Sequence, residues 1–197
     1  RVLNYPLSSQ RVKEKLKHGD RLSKWGEFEE AIKIYEEVIP EIKQFPLEEN
    51  LEVELYINLA LAYQKNNQIN LGKSRILQAS ILAKSIKDTT LLSNSYLIML
   101  DAFSNAFSMD EFCDIASNYY KLASARNFVL PIIQSIGYKI ECLSDFSDQD
   151  SALVYILNGI KQKDRMISGY GQIGYLAYVQ SIFDYIDLDS NLKVTKA

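Results

Sequence analysis

The chain has 197 residues, 47% of them hydrophobic and 24% charged, with a formal net charge of −3. These proportions suit a folded protein with a sizeable core, and they exclude a global basic field that would gather nucleic acid or anionic lipid. Basic residues number 10 against 12 acidic ones in residues 1–70, and 12 against 13 afterwards, so neither half is polarised.

With 8 Gly and 4 Pro, the chain has too few turn residues for an all-β protein, and its apolar spacing is helical nearly throughout. Nine helices are predicted, at about 8–24, 27–44, 48–66, 68–86, 89–107, 109–125, 128–145, 149–162 and 165–187. The first two form a hairpin written in one line, from Gly19 to Val38. Gly26 makes the turn, because glycine enters left-handed backbone conformations without a Cβ penalty. Phe28, Ala31, Ile32 and Tyr35 then repeat at three- and four-residue steps as one apolar stripe. Gly19 and Ala31, twelve residues apart, are small enough to let two helix backbones approach. The charges along this hairpin, basic from Arg11 to Lys24 and acidic from Glu27 to Glu54, read as solvated faces. Pro40 is expected to kink the second helix or end it early, and Pro46 to start the third.

The hairpin recurs. Ala60 pairs with Gly72, flanked by Tyr56, Leu59 and Tyr63 before the turn and by Ile76 and Ala79 after it; the step from Ala31 to Gly72 is 41 residues. A third copy pairs Ser104 with Ala116, a step of 44 from Gly72, and its second helix opens on a capping box, Ser108 to Glu111. A fourth is looser, built on Ile133, Ile136, Gly137 and Ile140 and then Ala152 and Ile156, with Pro131 in its first turn. The repeats therefore run 8–44, 48–86, 89–125 and 128–162, and the helix at 165–187 begins a fifth unit or caps the stack. No Ser/Gly tract or low-complexity segment separates them, which favours one domain over 1–197.

This spacing of small and aromatic residues resembles the tetratricopeptide repeat, a stacked helix-turn-helix unit. Gly19, Gly26, Ala31 and Tyr35 carry the best match, whereas Lys43 stands where that family has its terminal Pro. The resemblance implies an all-α fold, with antiparallel hairpins stacked as a right-handed α-solenoid. Repeats of this greater length resemble the sensor modules of bacterial transcription regulators, including peptide-pheromone receptors. In such stacks the first helix of each pair lines the concave face. Its inward positions fall on Ile57, Asn58, Leu61 and Lys65, then on Asp101 and Asn105, then on Gln134, Tyr138 and Glu141. Asn58, Leu61, Lys65, Asp101, Asn105, Gln134 and Tyr138 are the candidate peptide-binding residues, since an Asn amide pairs with one peptide unit. Chaperone adaptors of the family clamp a terminal carboxylate with Lys and Asn. The matching positions here carry Leu16, Asp20, Asn58, Ile98 and Ala102, of which only Asn58 fits, so with no cation at these positions the clamp lacks its basis.

Other motifs are weaker. Gly169 to Gly174 matches GxGxxG letter for letter, but no strand precedes it and no βαβ unit follows. His18 is the single histidine and sits on a Lys-rich helix, where solvent exposure or capping is its expected role. Asp145, Asp148 and Asp150 lack the Gly and Glu of a calcium loop. Cys113 and Cys142 lie among apolar helix residues and are expected to be two buried thiols of a reducing compartment rather than a disulfide. No signal peptide or long apolar run occurs, which predicts a cytoplasmic protein with no membrane contact. The start at Arg1 suggests an excised fragment. The expected function is a non-enzymatic scaffold without catalytic residues, cofactor or metal. It would hold a protein or peptide segment in a concave groove, bind no nucleic acid directly, and use a terminal helix for any homodimer. The alternative is the ligand- or peptide-sensing module of a transcription regulator.

Overall fold

A computed structural model describes residues 5–44, 49–127 and 129–143. Among these residues the regular structure is entirely helical. The elements are α1 (Tyr5–Trp25), α2 (Phe28–Gln44), α3 (Glu49–Lys65), α4 (Ile69–Ser85), α5 (Thr89–Ala102), a short 3-10 turn (Ser104–Ala106), α6 (Met109–Arg126) and α7 (Val129–Leu143). The expected helices at 149–162 and 165–187, and the Gly169 to Gly174 motif, lie outside the described residues. The chain divides into two compact units, Arg1–Ala106 and Phe107–Ala197. In the first, α1 packs on α2, α2 on α3, α3 on α4 and α4 on α5; in the second, α6 packs on α7.

The turns explain why the helices stop where they do. Gly26, Asn67 and Lys87 all take positive φ, at 84°, 58° and 60°. Each sits in the same paired hydrogen-bond arrangement. Gly26 N donates to Ser23 O and Glu27 N to Leu22 O; Asn67 and Gln68 repeat this toward Gln64 and Tyr63, and Lys87 and Asp88 toward Lys84 and Ala83. This is the Schellman motif, which satisfies the orphan carbonyls at a helix end. Asp88 then serves twice, because its side chain caps α5 by accepting from Thr90 N and Leu91 N. Ser108 and Glu111 form the expected capping box at α6, and Asn127 ends that helix at a φ of 58°.

Side-chain packing follows the small residues. On α4 a Cβ at Gly72 would stand 2.9 Å from Ala60 O, so the predicted Ala60–Gly72 approach of two helix backbones is present. The same Cβ would meet the Phe103 ring at 2.6 Å. That ring is buried, and its residue leaves the helical conformation (φ −126°), which ends α5 at Ala102 rather than at the expected 107. Ser104 therefore lies in the 3-10 turn, not on a helix face, and Lys73 Nζ holds that turn by donating to Ala106 O at 2.8 Å. At Gly19 the room goes to a side chain, since the nearest atoms to a Cβ there belong to the Tyr35 ring rather than to Ala31.

Pro40 does not end α2, which runs on to Gln44. Pro40 itself is exposed. Val38 and Ile42 on the other face are buried in the core of the first unit. Burying such side chains contributes about 1.5–3 kcal/mol each, enough to offset the roughly 3 kcal/mol cost of an internal proline.

The cysteines also depart from expectation. Cys113 and Cys142 form a disulfide, with Cα atoms 5.6 Å apart. Antiparallel packing of α6 on α7 brings the beginning of one helix beside the end of the other, which a reading of two separate apolar positions does not foresee. The argument for a reducing compartment loses its footing with the free thiols. No helix among the described residues is long and apolar enough to cross a membrane.

Candidate functional site: a groove between the first and third helices

Helix α1 presents residues 13, 16, 17 and 20 along one side, spaced by three, one and three. Helix α3 presents residues 51, 54, 55 and 58 at the same spacing. These two stripes line a groove of about 380 Å³. Leu16, Leu51 and Leu55 supply its apolar surface, Lys13 and Lys17 its cations, and Glu54 and Asp20 its anions, with Asn58 beside them. The helices α1 and α3 are the first of consecutive hairpins, and of the predicted inward positions on α3 only Asn58 lines the groove.

Asn58 is held in place. Its Nδ2 donates to Asp20 Oδ1 at 3.0 Å, and the Tyr35 hydroxyl donates to the same oxygen at 2.7 Å. Asp20 thus ties α1 to α2 and α3 together. With the amide nitrogen turned to the carboxylate, the orientation of the Asn58 side chain is fixed, leaving Oδ1 and a second N–H for a ligand. Tyr35 is buried, and its phenol is raised above the ordinary tyrosine value, first by burial and then by its hydrogen bond to Asp20.

One helix later the arrangement is echoed. Glu36 Oε1 accepts from Tyr63 OH at 2.8 Å and from Arg75 Nη2 at 2.8 Å, tying α2 to α3 and α4. The partners across the repeat stand 38 residues apart for Asp20 and Asn58 and 39 apart for Glu36 and Arg75. On the far side of α1, Lys15 pairs with Glu41 and Glu37 of α2, and the bond to Glu41 is the main reason its amine is raised above the usual lysine value.

The other candidates scatter. Leu61 is half-buried and Lys65 exposed, further along α3. Asp101 is exposed at the end of α5, and Asn105 is exposed in the 3-10 turn rather than on a helix. In the second unit Gln134 accepts from the Tyr119 hydroxyl at 3.0 Å, and the Tyr138 ring meets Phe112 edge-on with centroids 6.1 Å apart. Both serve the α6–α7 seam. Glu141 lies on α7, and its side chain is outside the described residues. His18 is exposed, as expected.

Sequence reasoning misses five groove residues: Lys13, Lys17, Leu51, Glu54 and Leu55. The family's clamp positions hold no cation here, yet Lys13 and Lys17 flank Leu16 and line the groove. Their signal was available, since 13, 17 and 20 share a helix face with Leu16. Leu51 and Leu55 escape because the predicted inward positions of the third helix, itself predicted over 48–66, begin only at Ile57.

A serine–lysine pair in the second unit has a catalytic look. Lys139 Nζ donates to Ser117 Oγ at 2.8 Å, and its amine is pulled below the usual lysine value by burial and then by Lys121. The Ser117 hydroxyl, however, donates to the Cys113 carbonyl at 2.8 Å, so its proton is directed at the helix backbone and not at the lysine. The pair reads as a bridge across the seam. Among the described residues no cluster of three or more His, Cys, Asp or Glu could hold a metal ion.

Set beside known families and curated proteins, the chain matches no family model and no curated protein.

Proposed function

We propose that the chain is a non-enzymatic binding module of tetratricopeptide-repeat type, an α-solenoid whose first-helix face takes up an extended protein or peptide segment. The observation that carries this reading is the α1/α3 groove, with its apolar surface and an Asn58 amide oriented in advance by Asp20. Prior orientation matters because ordering a side chain on binding costs about 0.5–1.5 kcal/mol. The groove's mixture of apolar surface and a few fixed polar groups is the usual composition of a small recognition site. Isothermal titration of a peptide library against the wild type and Asn58→Ala tests it. Peptides that bind the wild type should bind the variant more weakly by about 1 kcal/mol, the net value of one hydrogen bond. Undiminished binding in the variant removes Asn58 from the site.

A second reading is favoured by the steps of 41 and 44 residues from Ala31 to Gly72 and from Gly72 to Ala116, longer than the 34 of the common repeat. In it the module senses a ligand for a bacterial transcription regulator and transmits the signal through a change of superhelical pitch. A ligand-dependent change in solution scattering would separate sensing from passive docking.

A further inference from the structure

A side-chain amide can meet a ligand with its oxygen or with its nitrogen, and the two choices select opposite partners. At Asn58 the choice is made by Asp20. Its Oδ1 accepts from Asn58 Nδ2 at 3.0 Å and from the Tyr35 hydroxyl at 2.7 Å. An ionised carboxylate offers only acceptors, so the atom of Asn58 turned toward it must be the nitrogen. The carbonyl oxygen, Oδ1, is left for the groove that Asn58 lines, and among the described residues no donor reaches it. We propose, on the reading of the groove as a peptide site, that Asp20 is its positioning residue. Asp20 fixes Asn58 as an acceptor, and the groove thereby selects a segment by one backbone N–H placed at Asn58 Oδ1.

The charges of the groove narrow the ligand further. Lys13 and Lys17 share it with Asp20 and Glu54, two against two, so no net charge favours an ionic donor. The donor is therefore a neutral one, and every residue of an extended segment except proline supplies it in its backbone N–H. A segment that covers Asn58 Oδ1 without bonding to it leaves an acceptor unpaired, which costs more than the bond gains. Proline is thus rejected at the one position that meets Asn58. The hold on Asp20 comes from outside the groove. Tyr35 is not among the lining residues but is buried in the core of the first unit, so its hydroxyl anchors the carboxylate to that core.

The test uses the whole chain and a blocked nine-residue peptide of alternating Ser and Leu, titrated by fluorescence anisotropy. Each backbone N–H of the peptide is replaced in turn by an ester oxygen, which removes the donor without adding bulk. In the wild type one position should stand out, its ester binding about tenfold more weakly than the parent. In Asn58→Ala, with helical circular dichroism retained, no position should stand out. Asp20→Asn changes no shape but lets residue 20 donate as well as accept, so Asn58 can turn either way. That variant should cut the ester penalty to about twofold, whatever it does to the affinity of the parent. A penalty that Asn58→Ala or Asp20→Asn leaves at full size, or no penalty at any position, overturns the proposal while the peptide-site reading stands. Absence of binding by the parent and by every ester overturns both.

Discussion

The Tyr35 ring occupies the space that a side chain on Gly19 would need, with Cε1 only 2.7 Å from the position of a Cβ there. That seating carries the Tyr35 hydroxyl to Asp20, and Asp20 in turn holds Asn58 in the groove. A glycine on α1 thereby governs an amide on α3. Gly19→Ala should destabilise the first unit by about 1–3 kcal/mol, the usual cost of overpacking. Urea unfolding measures it, and adding Tyr35→Leu should recover part of the loss. A neutral Gly19→Ala would mean that the ring moves aside freely.

Lys87 is the one residue of the three matched turns with neither the freedom of glycine nor the short polar side chain of asparagine. Left-handed backbone costs an ordinary L-residue about 1–2 kcal/mol. Lys87→Gly should therefore raise stability, by about 0.5–1 kcal/mol after the added entropy of the unfolded chain is subtracted. At Gly26 the opposite holds. A Cβ there meets nothing within 4 Å, yet φ is 84°, so Gly26→Ala should cost about 1 kcal/mol through backbone strain alone. Thermal unfolding of both variants decides the matter, and equal Tm values would discount backbone strain at these turns.

The turns also show which parts of the fold the sequence discloses. Gly26 is a legible stop signal, whereas Lys87 resembles any exposed lysine and takes its conformation from the two helices it joins. The first seven helices were readable because their apolar stripes recur at helical spacing, and α5 was overrun because Phe103 has the right spacing to continue it. Only packing on Gly72 reveals that Phe103 turns away. At the groove, Asn58 was legible from its register, but its bond to Asp20 needs the third dimension. The disulfide was misjudged because sequence distance says little about which helix ends meet.

Tyr63 gives the fold an alkaline limit. Burial first, and then its hydrogen bond to Glu36, push the phenol up to about 12, from about 10 in an unfolded chain. Between these values the folded state retains a proton that the unfolded state releases, so stability falls as pH rises. Tyr63 contributes its full share below about pH 10 and loses it progressively toward pH 12. Tyr35, Tyr56 and Tyr96 are raised as well and act in the same direction. Tm recorded from pH 8 upward should decline at the alkaline end, and Tyr63→Phe should decline less steeply. A slope unchanged by Tyr63→Phe would assign the alkaline loss to other groups.

Cys113 lies near the start of α6 and Cys142 near the end of α7, so the disulfide closes the hairpin at the end opposite its Asn127 turn. Near that turn, Ala123, Ile132 and Ile136 form a buried cluster against Tyr120. The open end has the Phe112–Tyr138 ring contact and the polar Ser117–Lys139 bridge. With the cysteines 29 residues apart in sequence, the chain-entropy model gives the crosslink about 3–4 kcal/mol. Reduction should therefore lower amide exchange protection in α6 and α7, most at the ends that carry the cysteines and least beside Asn127. The Cys113→Ser, Cys142→Ser double variant should reproduce the loss without reductant. Protection that survives reduction along both helices would show that the α6–α7 packing holds the hairpin without its crosslink.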